Sequence, residues 1–404
     1  MYLQNCERVN LKESRESKLN FTRIVIIIMA GVCIVGTLQL YTKTSLIPSD
    51  STTKRSLTRI EQSLQITRIE TISKKGFGSY GISLKFRMRK IPPGNTTSNI
   101  IGSDKLRIDD NNNDIRNVFR SQVCQNNTVC KRKLSLEILT YIFKRINDTR
   151  YKIPNVVHYI WFGCEREFDF YHYISMLTSI RNLKPTAIIL HSDCEPSGLW
   201  WERIRKYQKV YAVFHSPPTK IYEHQLHRVH HQADVARLDI LLKWGGIYLD
   251  DTVLVVKSFD TLRNYSAVLP FQEHGLLNNG VILSERNSSF LQRWRTESYK
   301  DYREQSWAYN SCRYPWRLWV SNETSDIHVE MTSFLPKWDG WKSVFLMKYP
   351  YEKNYAIHLW THPIKRLKVE FKYPGAIKTM DTTFGEIARK ALYNTTNFMS
   401  HRLT

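Results

Sequence analysis

Blocks of apolar residues along this chain change period several times, and each change marks an element. The first block, IVIIIMAGVCIVGTLQLY at 24–41, is 18 residues without a charge between Arg23 and Lys43. As a helix it spans roughly 27 Å, enough for a thin membrane of the secretory pathway. A long polar leader and the lack of a small-x-small cleavage site favour an uncleaved signal anchor over a signal peptide. Residues 42–130 then lose their periodicity and turn Ser/Thr-rich and basic, with IPPGNTTSN at 91–99 and DDNNNDI at 109–115, as in a stem. Helical spacing returns in KRKLSLEILTYIFKRI at 131–146 through Leu134, Ile138, Tyr141 and Ile142.

From Pro154 onward, short apolar runs alternate with helical ones. VVHYIWF at 156–162, AIILHS at 187–192 and VYAVFH at 210–215 have the character of buried strands. FDFYHYISMLTSIRNL at 168–183 has helical spacing through Tyr171, Ile174, Leu177 and Ile180. QADVARLDILLKW at 232–244 is a helix stopped by Gly245-Gly246, and IYLDDTVLVV at 247–256 returns to strand. The alternation predicts a Rossmann-type α/β domain, a mostly parallel sheet with helices on both faces. Ligands of such sheets bind beyond the carboxyl ends of the strands. The expected order is a tail at 1–23, a transmembrane helix at 24–41, a stem at 42–130 and a folded domain at 131–404.

Composition narrows the setting. Over 404 residues the chain has 42% apolar residues and a net charge of +22, which excludes a disordered chain and implies acidic partners such as nucleotide phosphates or lipid headgroups. No Lys/Arg run or nucleic-acid motif accompanies the charge, so nucleic acid is not an expected partner. Basic residues flank the apolar run on both sides and leave its orientation open. Seven sequons after it, at Asn95, Asn126, Asn147, Asn264, Asn287, Asn322 and Asn394, predict a lumenal body and so a type II membrane protein. Of the cysteines there, Cys124 with Cys130 and Cys164 with Cys194 are plausible pairs. Spacing does not fix the pairing, and an odd thiol is left over.

The candidate chemistry sits at one joint. Asp250 and Asp251 follow a strand, where adjacent carboxylates can hold a hard divalent cation that neutralises a diphosphate. A lone Asp-Asp is more often a solvated turn. Asp234 and Arg237, three apart on the preceding helix, share a face; alone they would be a surface ion pair of little worth. The tight Gly-Gly link makes all four charges converge.

HQADVARLDILLKWGGIYLDD resembles the core of the DXD-motif sugar-transferase family, which includes yeast-type mannosyltransferases and animal α-1,4-glycosyltransferases. IPNVVHYIWFG is similar to that family's first strand, and HSDCEPSGLWWERI, NNGVILSERNSSFLQRW and NYAIHLW to segments of its invertebrate members, so the likeness covers roughly 153–362. The resemblance implies a GT-A fold, a nucleotide-sugar donor, Mn²⁺ and transfer with retention to a glycan or glycolipid hydroxyl. It places Asp234 and Arg237 on donor-sugar hydroxyls and Asp250 at ribose and metal. Tyr248 and Trp161 would flank the nucleotide, with Trp161 as a stacking platform, and Asn278 and Asn279 would bind sugar hydroxyls. His358 would close the metal site. Trp200, Trp201, Trp307, Trp338 and Trp341 are either acceptor platforms or core. One departure stands out: Asp250-Asp251-Thr252 replaces Asp-x-Asp, so Thr252 falls where the second metal carboxylate belongs unless a turn brings in Asp251. That departure keeps a rival open, a degenerate member that binds glycan or nucleotide without turnover.

Overall fold

The apolar runs after Pro154 become neighbouring strands of one sheet. A computed structural model describes residues 38–42, 80–84, 116–146, 149–321, 326–334, 340–359 and 373–399, within two units, Met1–Asp104 and Lys105–Thr404. In the first unit β1 (Leu38–Thr42) pairs antiparallel with β2 (Tyr80–Leu84). Residues 24–37 of the expected transmembrane helix lie outside the described residues. Its last residues differ from expectation: LQLYT alternates with the two-residue period of a strand and is β1. Among the described residues no helix is long and apolar enough to cross a membrane.

In chain order the second unit runs α1 (Thr128–Lys144), β3 (Val156–Trp161), α2 (Phe170–Leu183), β4 (Ala187–Ser192), α3 (Leu199–Ile204) and β5 (Val210–Phe214). Next come β6 (Lys220–Ile221), β7 (His224–Gln225), α4 (Val229–Trp244), β8 (Gly246–Leu249), β9 (Val253–Val255), β10 (Ala267–Gln272), β11 (Leu276–Leu277) and β12 (Val281–Ser284). The remainder is α5 (Ser289–Arg293), α6 (Tyr314–Val320), β13 (His328–Glu330), α7 (Gly340–Leu346), β14 (Ala356–His358), α8 (Pro374–Ile377) and α9 (Thr383–Tyr393).

The main sheet has the order β11-β10-β12-β8-β3-β4-β5, with β13 beside β10. Strands β8, β3, β4 and β5 are parallel, while β12 is antiparallel to both β8 and β10, so the sheet is mixed and mostly parallel. The chain lays β4 and β5 on one side of β3 and returns through α4 to lay β8 on the other. Connections therefore diverge between β3 and β8, the switch point where such sheets open a crevice. Alternation along β3 sends Val157, Tyr159 and Trp161 to the face covered by α2, where Ile174 and Leu177 lie. Ile160 and Phe162 join Val235 and Leu238 of α4 on the other face, and Val156 joins Leu134 and Ile138 of α1.

Segment 116–130, expected as stem, is packed into this unit. The Val118 N–H donates to the Ala212 carbonyl at 3.1 Å, and Val118 and Cys124 are buried. Its apolar residues are interleaved with Arg, Asn and Gln, so hydropathy alone hides the docking. Both plausible disulfides are present, Cys124–Cys130 and Cys164–Cys194, and Cys312 is a buried thiol. The described sequon asparagines Asn126, Asn264, Asn287 and Asn394 are exposed.

At the sheet's centre lies a buried polar pair. His158 Nε2 is 3.0 Å from the Gly245 carbonyl and its Nδ1 is 3.0 Å from His191 Nε2. The carbonyl requires a proton on His158 Nε2, so His158 Nδ1 accepts from His191 and leaves His191 Nδ1 with no partner. Burial pushes the His158 imidazole down to about 4 and holds His191 well below its ordinary range. Gly246 makes the close approach possible: its φ is +118°, and a Cβ there would meet the Val156 carbonyl at 2.7 Å and His158 Nε2 at 2.9 Å. The stretch 247–256, expected as one strand, is broken at Asp250. The Val253 N–H bonds the Asp250 carbonyl at 3.1 Å across a turn, and the chain then leaves the main sheet to form β9, paired antiparallel with β14.

Candidate active site

A cleft of about 1090 Å³ opens at the switch point. Helix α4 turns His230, Ala233, Asp234 and Arg237 toward it, the i, i+3, i+4, i+7 stripe of one helix face. Asp234 and Arg237 are buried, 7% and 5% exposed, which rules out the surface-pair reading. Arg237 Nη2 is 3.0 Å from Asp234 Oδ1, and its Nη1 is 3.5 Å from Asp250 Oδ1 and donates to the Asn279 carbonyl at 2.7 Å. The guanidinium lies 4.5 Å from the Tyr248 ring centre. Burial opposes its charge, but the carboxylates of Asp250 and Asp234 override that and raise its pKa. Burial pushes the Asp234 carboxyl up to about 6, against the pull of Arg237 and of hydrogen bonds from Ser311 and Asn279.

Asp250 stands at the carboxyl end of β8. The Tyr248 hydroxyl donates to Asp250 Oδ1 at 2.7 Å, and burial holds that phenol protonated. Strand β14 sets His358 on the other side of the carboxylate, Nε2 to Oδ2 at 3.5 Å, and burial keeps the imidazole pKa low despite the nearby Asp250 and Asp251. Gly280 leaves the space between them: a Cβ there would come within 2.6 Å of His358 Cε1 and 2.8 Å of Asp250 Oδ2. Asp250 and His358 therefore supply one oxygen and one neutral nitrogen, a donor pair that suits a divalent cation arriving with phosphate oxygens.

Asp251 also faces the cleft, because the turn replaces a regular strand. It is engaged by Arg166 Nη2 at 3.1 Å and faced by His172 Nε2 at 3.7 Å. His172 Nδ1 accepts the Asp169 N–H as part of the N-terminal cap of α2, so its proton points at Asp251. Thr252 is not at the site. It is 6% exposed, its carbonyl accepts the Leu359 N–H, and it does not line the cleft.

Trp161 departs from expectation as well. Its ring is fully buried on the α2 face beside Phe168 and His172, with the Arg166 guanidinium 3.8 Å from the ring centre, so it is core rather than a base platform. Tyr248, Asn278 and Asn279 do line the cleft. Asn278 is fixed by Gln272 and by the Gly280 N–H, while Asn279 Nδ2 holds Asp234 at 2.7 Å. Trp200 and Trp201 are core, Trp307 is exposed at the cleft, and Trp338 lies outside the described residues. Residues that patterning missed are Arg166, His172, Gly280, Ser311 and Cys312. Each reaches the site across the fold; only the sequence Asn-Asn-Gly, holding Gly280 next to two candidates, carried a local signal.

Residues 172–269 match the family described as the glycosyltransferase sugar-binding region containing the DXD motif. The chain is 32% identical over 265 residues to glucan organizing enzyme 1 of Cryptococcus neoformans var. grubii, covering 59% of this chain and 70% of that protein. It is 28% identical over 146 residues to the lactosylceramide 4-alpha-galactosyltransferase of Rattus norvegicus, covering 32% of this chain and 40% of that one. Among solved structures, the galactosyltransferase LgtC with donor and acceptor sugar analogs is 13% identical, with a TM-score of 0.33 over 61% of this chain and 98% of that one. The PaToxG glycosyltransferase is 18% identical, with a TM-score of 0.33 over 48% of this chain and 78% of that one. On the extent of the match to the fungal enzyme, and with the matched region carrying Asp234, Arg237 and Asp250, this chain belongs to the DXD-motif glycosyltransferase family.

Proposed function

We propose that this protein moves a sugar from a nucleotide-sugar donor to a hydroxyl of a glycan or glycolipid, with retention at the anomeric carbon on a GT-A-like domain. The observation that carries the reading is the convergence of Asp234, Arg237 and Asp250 at the switch-point cleft, each buried or half-buried and held by partners. Asp234, oriented by Arg237 and Asn279, accepts hydrogen bonds from donor-sugar hydroxyls. Arg237 is locked to Asp234, Asp250 and the Asn279 carbonyl, so it holds the sugar-binding and phosphate-binding ends of the cleft in fixed register. Tyr248 orients Asp250. A divalent cation such as Mn²⁺, held by Asp250 and His358, would neutralise the diphosphate leaving group. Arg166 adds positive charge at the same end. Donor hydrolysis tests the reading without knowledge of the acceptor. The full chain with Mn²⁺ and panels of UDP- and GDP-sugars should hydrolyse at least one, and failure to bind or hydrolyse any of them would overturn it.

A second reading rests on the Asp250–Thr252 turn. Thr252 is packed away and Asp251 is engaged by Arg166, so the second carboxylate of an Asp-x-Asp pair is missing, as in a member that binds nucleotide or glycan without turnover. Metal-linked nucleotide binding without hydrolysis would favour it.

For location we propose a type II Golgi membrane protein anchored by the apolar run from Ile24, with the body lumenal. The two disulfides and the exposed sequon asparagines support an oxidising, glycosylating compartment. That anchor requires Leu38–Tyr41 to leave β1, because residues 24–37 alone are shorter than the about 17 a span needs. Protease added to sealed microsomes should spare the body; digestion from outside would refute the topology.

A further inference from the structure

Trp307 is an indole left in water at the edge of a sugar-handling cleft. It is 63% exposed, whereas Trp161, Trp201 and Trp294 are fully buried. Its ring stacks on His230, with centres 3.8 Å apart and planes at 27°. That stack fixes one face of the indole while the residue lines the cleft with Val229, Leu276 and Ala308. The mount is rigid as well. Trp307 lies two residues before the helical turn Tyr309–Arg313, and the single proton of the Ser311 hydroxyl in that turn can go either to the Trp307 carbonyl, at 3.5 Å, or to Asp234. The Ser311 side chain thus lies between the platform's backbone and the carboxylate of Asp234.

Position selects the occupant. His230 and Arg237 are seven residues apart on α4, about 10 Å along the axis, so the platform stands one to two sugar rings from the Asp250 end. The arginines lining the cleft, Arg166 and Arg237, are held at Asp251 and Asp250. An anionic diphosphate belongs there, and the space beyond the donor sugar belongs to a neutral ligand. A pyranose presents a flat C–H face with hydroxyls at its rim. The uncharged indole suits the face, and Gln272 and His274, which also line the cleft, suit the rim.

We infer that Trp307, backed by His230, is the acceptor subsite and takes a neutral hexopyranose of the acceptor glycan by stacking. The inference rests on the glycosyltransferase reading above, and the two are tested separately. Binding of lactose, cellobiose and maltose to the full chain is followed by saturation-transfer NMR, which needs no turnover, and UDP binding by calorimetry with Mn²⁺. At least one disaccharide should bind. Trp307→Ala should raise its dissociation constant by about tenfold or more, the factor carried by 1.4 kcal/mol, and Trp307→Phe should recover most of the loss. UDP affinity should be the same in all three proteins. Disaccharide affinity unchanged in Trp307→Ala, or binding of none by the wild type, overturns the subsite. A fall in UDP affinity overturns it too, by showing that the ring stacks on the base. Absence of donor hydrolysis bears on the catalytic reading alone.

Discussion

Gly280→Ala adds one methyl group between the two proposed cation ligands. The new Cβ would sit 2.6 Å from His358 Cε1, 2.7 Å from His358 Nδ1 and 2.8 Å from Asp250 Oδ2. Normal contact needs about 3.4 Å or more, so the neighbours must yield by about 0.6–0.8 Å in all. Gly280 cannot retreat freely: its carbonyl accepts the Asp250 N–H at 2.8 Å and its own N–H is held by Asn278. Strain of this kind costs about 1–3 kcal/mol, and each kcal/mol lowers Tm by about 2–4 °C in a domain of 150–250 residues. The larger consequence is local, since cation sites tolerate ligand displacements of only about 0.2 Å. Calorimetric titration of Mn²⁺ in the presence of UDP should show at least about a tenfold loss of affinity, or 1.4 kcal/mol. Ile282→Val, in the buried core two residues along β12, serves as the stability control, costing about 0.5–1.5 kcal/mol and leaving Mn²⁺ affinity intact. A folded Gly280→Ala protein that binds Mn²⁺ like the wild type would refute the assignment of Asp250 and His358 as the cation pair.

Four further outcomes follow from the structure. Asp234→Asn keeps the side-chain shape but removes the charge opposite Arg237; kcat/KM should fall about 10- to 150-fold, matching 1.5–3 kcal/mol for hydrogen bonds to charged groups, with little change in Tm. Since the Asp234 carboxyl is pushed up to about 6, wild-type transfer should rise with pH through that region, as a pH–rate profile would record. Thr252→Asp should not strengthen the cation site; a carboxylate at this 6%-exposed position should lower stability by about 3 kcal/mol or more, visible in chemical unfolding, and a tighter Mn²⁺ site would show the turn to be wrongly read. Neutral burial of His158 and His191 holds both pKa values below the unfolded value of about 6.5, so the unfolded chain binds more protons and their contribution, present above that pH, is lost as pH falls toward 4. His158 alone accounts for about 3 kcal/mol of that loss, and the acid limb of the Tm profile should be shallower in His191→Leu.

Buried parallel strands read as continuous apolar runs, so β3, β4 and β5 and helix α2 were legible almost to the residue, and the Asp234–Arg237 pair with them, whereas the six-residue α3 is too short to show a helical period. What escaped the sequence was direction and distance. Trp161 shares the odd-numbered face of β3 with Val157 and Tyr159, whereas the cleft opens past Ile160, Phe162 and Tyr248. The apolar run 247–256 gave no sign that it would turn at Asp250 and change sheets, which is why Thr252 was read as a ligand position. Arg166 and His172 meet Asp251 from about 80 residues away, 85 for Arg166, and no local spacing reports such a contact. The docking of 116–130 depends on a few buried side chains and backbone bonds to β5, which composition averages away.

The β9–β14 pairing bears on how the protein is made. His358 reaches Asp250 only when Ala356–His358 adds to Val253–Val255, a strand synthesised about 100 residues earlier. At about 5–20 residues per second, the growing chain holds a finished helix α4 and Asp250 for several seconds before the last ligand exists. A ribosome-bound or prematurely terminated product would therefore carry Asp234, Arg237 and Asp250 without His358, the proposed partner of Asp250 at the cation. Metal-dependent protection of the cleft would then report completed synthesis, separating full-length molecules from truncated ones that share the same epitopes.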